Sequence, residues 1–292
     1  MVARGDKHVY GVDYEETYAP VIKLVSLRIM LTIAAVRDLD LKHWDVVAAF
    51  VNGRLSECVY MHQPSGVSDG SGRVCKLKSS LYGLCQPARA WYTRLDEIPQ
   101  QIQWKRLFSD YAVWVSLKGA DFIGAHVDDM SVAANKPTRK LVKQHLRQYL
   151  DVSNLGDLSI YVGVSITRDR PNKLLHLSQG DYAERTLKMF GMSSCNSLST
   201  PLLPSGLFSG GQPLDADGKT HYQKLIGCLL YLVHGSRPDL AYTIIRLSQY
   251  SSNPHPPHWD ALKRTLHYLR ETTHARLMLG HRHAEPLCYE WV

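Results

Sequence analysis

Cysteine is scarce and scattered: six residues among 292, at positions 58, 75, 85, 195, 228 and 288, none in Cys-x-x-Cys spacing. That scatter excludes a disulfide framework and a thiolate zinc site, and it fits a reducing compartment. Long hydrophobic runs are missing as well. The longest apolar stretch, Leu225 to Val233, falls far short of the roughly 20 residues that span a bilayer. Residues 1–8, Met-Val-Ala-Arg-Gly-Asp-Lys-His, lack the apolar segment of a signal peptide. The expectation is an intracellular chain, cytoplasmic or nuclear, with no membrane partner. Internal repeats and low-complexity tracts are absent too, which excludes a repeat array.

What is present suffices for a folded protein. A hydrophobic content of 45% supports a real core in one large or two small domains. The net charge of +7 is a modest basic excess that suits a polyanionic partner.

Apolar residues at 21, 22, 25, 29, 33 and 36 predict an amphipathic helix over 21–37. Its Arg28 reads as a surface cation. A short strand over 41–46 follows, then a turn at Asn52-Gly53 and strand-like segments at 58–61 and 74–77 around a Gly/Ser-rich loop. A helix begins near Pro87, carries Trp91, Tyr92 and Leu95 on one core face, and is expected to be interrupted at Pro99. Two β-rich runs fill 111–133. Thr138 is then the expected N-cap of a helix reaching Tyr149, whose Arg139, Lys143 and Arg147 form a stripe read as a solvated face. Strands over 160–167 and 174–177 precede a helical pattern at 181–190, 222–234, 238–249 and 257–270, with a Pro/Gly/Ser-rich connector at 200–218. That shift near Gln179 is the expected domain boundary, and the fold class is α+β.

The candidate chemistry centres on Asp128-Asp129, held between β-forming runs at a tight turn. Adjacent carboxylates repel, so a cation that neutralises them is the natural companion, with Mg²⁺ first and Mn²⁺ as the alternative. Asp45 ends the 41–46 strand in a matching context. Three such carboxylates suffice for two metal ions about 4 Å apart, the clamp used for in-line displacement at phosphorus.

An ordered series of motifs widens this reading. It comprises Tyr14-Glu15-Glu16-Thr17-Tyr18-Ala19-Pro20-Val21, Val59-Tyr60-Met61-His62-Gln63-Pro64, Leu81-Tyr82-Gly83-Leu84-Cys85-Gln86 and Arg89-Ala90-Trp91-Tyr92. It continues through Val127-Asp128-Asp129, Leu155-Gly156-Asp157-Leu158, Ser199-Thr200-Pro201-Leu202, Ser236-Arg237-Pro238-Asp239 and His258-Trp259. In this order, across almost the whole chain, the series resembles the reverse transcriptase of copia-type LTR retrotransposons. The resemblance implies a right-hand polymerase: partial fingers and a β-sheet palm over 1–178, a helical thumb and connection over 179–280, and a tail at 281–292 leading to an RNase H domain. It also implies that the cationic fingers strand lies upstream of Met1.

By the same resemblance Asp45, Asp128 and Asp129 are the catalytic, metal-binding triad, with the Val46 carbonyl as a further ligand. Phe50 sits under the incoming sugar, although on the residues alone it reads equally well as a core aromatic. Gln86 lines the nucleotide pocket. His126, Tyr161 and Gly163 meet the primer end. On the residues alone, Lys263, Arg264, His267 and Arg270 of the last helix read either as a track for a phosphate backbone or as a face turned to water. The implied partners are an RNA or DNA template-primer and deoxynucleoside triphosphates. The chain also departs from the family pattern. His126 replaces a Tyr, Val47 and Cys85 replace two Lys, Pro87-Ala88 inverts an Ala-Pro, and Pro99 falls in a helix that the family leaves unbroken. These departures carry the alternative expectation of a co-opted remnant that binds nucleic acid or a host protein without catalysis.

Overall fold

The computed structural model describes residues 2–64, 66, 68–117, 121–203 and 211–280. The tail expected at 281–292, and part of the connector at 200–218, lie outside these residues. The chain divides into two compact units, 1–158 and 159–292. Both mix helices with antiparallel sheet, the α+β class. No helix among the described residues is long and apolar enough to cross a membrane.

In the first unit, α1 (Leu24–Val36) leads into β1 (Asp40–Val46). The hairpin β2 (Tyr60–His62) and β3 (Val74–Lys76) precedes α2 (Pro87–Gln101). Then come β4 (Lys105–Arg106), β5 (Val113–Val115), β6 (Phe122–His126), β7 (Asp129–Ala134), α3 (Lys136–Leu146) and β8 (Val152–Asp157). Six of these strands form one antiparallel sheet, in the order β4-β5-β6-β7-β1-β8. One face of the sheet carries the main core, where Trp44, Val46, Trp114, Ile123, Met130 and Val132 meet Trp91, Leu95 and Ile98 of α2 and Val142 and Leu146 of α3. Because side chains alternate along a strand, this places His43 and Asp45 on the other face.

The second unit holds β9 (Ile160–Tyr161), β10 (Val164–Asp169) and β11 (Leu174–Ser178). Four helices follow, α4 (Gly180–Met189), α5 (Ala216–Gly235), α6 (Ala241–Ser248) and α7 (Pro256–Glu271), and then β12 (Leu277–Gly280). The sheet order is β12-β11-β10-β9. Leu187, Tyr222, Leu225, Leu229, Ile244, Leu262 and Leu266 make the helical core.

Several sequence expectations need correction. The strands over 160–178, which lie before the composition shift near Gln179, pair with one another and with β12 and so belong to the second compact unit. Helix α1 buries Leu27, Met30, Leu31, Ala34 and Ala35, and leaves Val25 and Ile29 exposed. It is apolar nearly all round, so periodicity does not select a face, and the small alanines give the closest packing. Helix α2 runs through Pro99 to Gln101. Its last turn is buried at Ile98 and Pro99, and apolar packing there outweighs the lost backbone bond. Asn135, not Thr138, is the N-cap of α3: its side chain accepts from the Thr138 N–H at 3.0 Å. The stripe on α3 is not merely solvated, since Arg139 pairs with Asp40 at 2.5 Å and Arg147 donates to the Val152 carbonyl at 3.2 Å. The strand expected at 160–167 is broken by a turn at Val162-Gly163.

Candidate active site

The site is assembled by strand register. Asp45 near the end of β1 lies directly opposite Asp129 at the start of β7, and Ser153 of β8 flanks it on the other side. The β6–β7 hairpin closes in two residues, Val127 and Asp128, because His126 pairs with Asp129. The Val46 N–H donates to the Asp128 carbonyl at 3.1 Å, which extends the β1–β7 ladder into that turn. Val127 has φ +61°, a left-handed conformation that is unusual for a β-branched residue and costs on the order of 1–3 kcal/mol. Two neighbours hold it there. Trp91, 2% exposed, donates its indole N–H to the Val127 carbonyl at 2.8 Å, and Val127 packs on the main core.

After β1 the chain turns through Ala48, at φ +52°. Asn52 fastens this turn by donating its side-chain amide to the Ala48 carbonyl at 3.1 Å. This turn carries the chain away from Asp45, which the β1–β7 register sets beside the hairpin.

The electrostatics match that geometry. Burial pushes the Asp45 carboxyl up from the usual carboxylate range, and the Asp128 and Asp129 charges push it further. The Asp129 carboxylate lies 2.9 Å from His43 Nε2. His43 stands two residues before Asp45 and shares its strand face, a signal that the sequence carried and that the motif series passed over. Among the described residues, no group of three or more His, Cys, Asp or Glu side chains is gathered as a finished metal site. The donors suit a hard divalent cation, but Asp129 is engaged by His43.

The other expected site residues are placed as follows. The Phe50 ring packs at a tilt on Tyr82, with centroids 5.0 Å apart. Gln86 is buried and donates to the Asp13 carbonyl at 3.1 Å, while its own Oε1 has no partner among the described residues. Cys85 contacts the Gly5 carbonyl through Sγ at 3.3 Å, and Val47 is exposed. His126 is half-buried beside the turn. In the second unit Tyr161 is buried and Gly163 exposed. On α7, Lys263 pairs with Asp260 at 2.8 Å, Arg264 donates to the Thr200 hydroxyl at 2.7 Å, and Arg270 is exposed.

Residues 1–204 match the family described as reverse transcriptase (RNA-dependent DNA polymerase), and the chain belongs to that family. It is similar to the retrovirus-related Pol polyprotein from transposon TNT 1-94 of Nicotiana tabacum, with 34% identity over 296 residues, 96% of this chain and 22% of that protein. To the Pol polyprotein from transposon RE1 of Arabidopsis thaliana it is 36% identical over 287 residues, 96% of this chain and 19% of the relative. It therefore spans about a fifth of the length of these curated relatives. A solved foamy viral protease-reverse transcriptase in complex with double-stranded DNA aligns with 91% of this chain and 39% of its own, at 9% identity and TM-score 0.41, too weak a likeness to place domains.

Proposed function

We propose that the chain is the RNA-directed DNA polymerase domain of a copia-type retrotransposon, with Asp45, Asp128 and Asp129 as its catalytic carboxylates. The observation that carries this reading is the register that sets Asp45 opposite Asp129, beside a strained turn bearing Asp128, so that the carboxylates oppose one another's charge. Asp45 and Asp128 would hold Mg²⁺ or Mn²⁺, and the bound ion would stabilise charge on the transferring phosphoryl group. The chain's own work is positional. Trp91 fixes the turn, the β1–β7 ladder fixes Asp45, and His43 orients Asp129. The Phe50 ring, packed at a tilt on Tyr82, would bar a 2′-hydroxyl and so select deoxynucleotides. Gln86 would shape that pocket through the Asp13 carbonyl that it holds.

In this reading residues 1–178 form fingers and palm and 179–280 the thumb and connection. His126 would meet the primer end from the first unit; in the second unit, taken by itself, the Tyr161–Gly163 hairpin would meet a recessed strand and Lys263, Arg264 and Arg270 would contact a template-primer. Primer extension on an RNA template with Mg²⁺ or Mn²⁺ tests it directly. Extension that Asp128→Asn abolishes, together with metal binding by calorimetry that the same change weakens, is the expected result. Identical metal isotherms for both proteins would sink the metal assignment.

A second reading is a co-opted nucleic-acid-binding remnant. It is favoured by Val47 and Cys85 at positions where the family carries Lys, and by the engagement of Asp129 with His43. Wild-type binding of template-primer with no extension in either metal would select it.

A further inference from the structure

The turn Val162-Gly163 joins β9 to β10 with both residues in the left-handed region, φ 47° and 71°. Two-residue turns of this kind ordinarily carry Asn-Gly, because a β-branched side chain crowds its own backbone there. Valine at the first position must therefore be held by its surroundings. The hold comes from α5, where the Tyr231 hydroxyl donates to the Val162 carbonyl at 2.7 Å. A Cβ built on Gly163 would lie 2.2 Å from that same oxygen. One phenol thus ties the turn down and forbids a side chain at its second position. Tyr231 is itself fixed, edge-on to Tyr182 of α4 with ring centroids 4.7 Å apart. Tyr161 and Val164 are buried, whereas Ile160 and Gly163 face outward. The hairpin therefore presents bare backbone at the surface, open to close approach by a sugar-phosphate chain.

We propose that Tyr231 is a positioning residue for the primer, holding the Val162-Gly163 backbone in the shape that receives the end of a recessed strand. The inference rests on the polymerase reading above, in which this hairpin meets the primer end. It adds a residue that no motif in the sequence singles out and that acts only through the turn.

Tyr231→Phe deletes the hydroxyl and keeps the ring, so packing on Tyr182 survives. Anisotropy is measured with a labelled recessed primer-template and with a blunt duplex of equal length. The wild type is expected to prefer the recessed end. Tyr231→Phe is expected to bind that end about fivefold more weakly, the equivalent of one lost neutral hydrogen bond. Blunt-duplex affinity should stay unchanged, and the melting temperature should fall only by the few degrees that one lost hydrogen bond predicts. Gly163→Ala, which drives a methyl group toward the hydroxyl, should abolish the preference in the wild-type background and cost less when combined with Tyr231→Phe. A Tyr231→Phe protein that keeps its full preference, or that weakens equally on both duplexes, overturns the positioning role and leaves the polymerase reading standing. A wild type without affinity for either duplex overturns that reading, and this inference with it.

Discussion

Arg237 is a nearly buried guanidinium, 3% exposed, that donates to Asp239 at 2.7 Å and to the Thr272 hydroxyl at 2.6 Å. Burial alone would push the Asp239 carboxyl up. The Arg237 hydrogen bonds and charge, joined by the Tyr268 hydroxyl, outweigh it and hold the carboxyl below its usual range. A carboxyl lowered in the folded state contributes stability above the unfolded value and loses it as pH falls through the folded one. Asp239→Asn is therefore expected to lower the melting temperature at neutral pH, with the gap closing below about pH 4. Because Asp239 is 38% exposed, the cost should be only about 1 kcal/mol. A gap that stays constant in thermal melts at several pH values would contradict the assignment.

Val47 and Cys85 pose the matching question for activity. Val47 is exposed, so Val47→Lys places a cation without disturbing the core. Cys85→Lys must first release the Gly5 carbonyl. At about 3 kcal/mol for each cation aimed at triphosphate oxygens, each change alone should speed primer extension by a factor on the order of 10², and the two together by about 10⁴. Single-turnover extension that stays equally fast without them would show that those charges are dispensable.

At the scale of elements, the two short hairpins share a device: a valine in the left-handed region whose carbonyl is held by the polar tip of an aromatic side chain, Trp91 at Val127 and Tyr231 at Val162. Relieving the strain should show as stability. Val127→Gly is expected to stabilise the fold by about 1 kcal/mol in chemical denaturation, after the entropic cost of glycine, while weakening metal binding by loosening Asp128. A destabilised Val127→Gly protein would mean that the valine side chain contributes more than its backbone costs. These devices also mark what sequence reading reached and where it stopped. The β1 strand, the hairpin around Asp128 and helices α4 and α7 were legible, because alternation, helical period and proline starts are local signals. The buried face of α1 was not, since tertiary packing chooses among apolar sides. The Asn135 cap, three residues ahead of Thr138, was overlooked beside a second plausible cap. Gln86 could be marked by motif but its burial could not, whereas the core reading of Phe50 was available from the residues and the ring is half-buried against the core. The grip of Tyr231 on Val162 spans 69 residues of sequence and carries no local trace.

For the whole molecule, the basic excess of +7 predicts duplex binding that weakens steeply between low and physiological salt, as each neutralised phosphate releases counterions. A flat salt dependence would argue against phosphate contacts by Lys263, Arg264 and Arg270. The aromatic side chains of the first core add an optical consequence. Trp44, Trp91, Trp104 and Trp114 all lie in that one cluster, whereas Trp259 is the tryptophan described in the second unit. Intrinsic emission therefore reports chiefly on residues 1–158, and far-ultraviolet circular dichroism on both units, including the helices α4 to α7. If the units melt separately, the two signals will have different midpoints, and their order will name the unit that yields first without any label being attached.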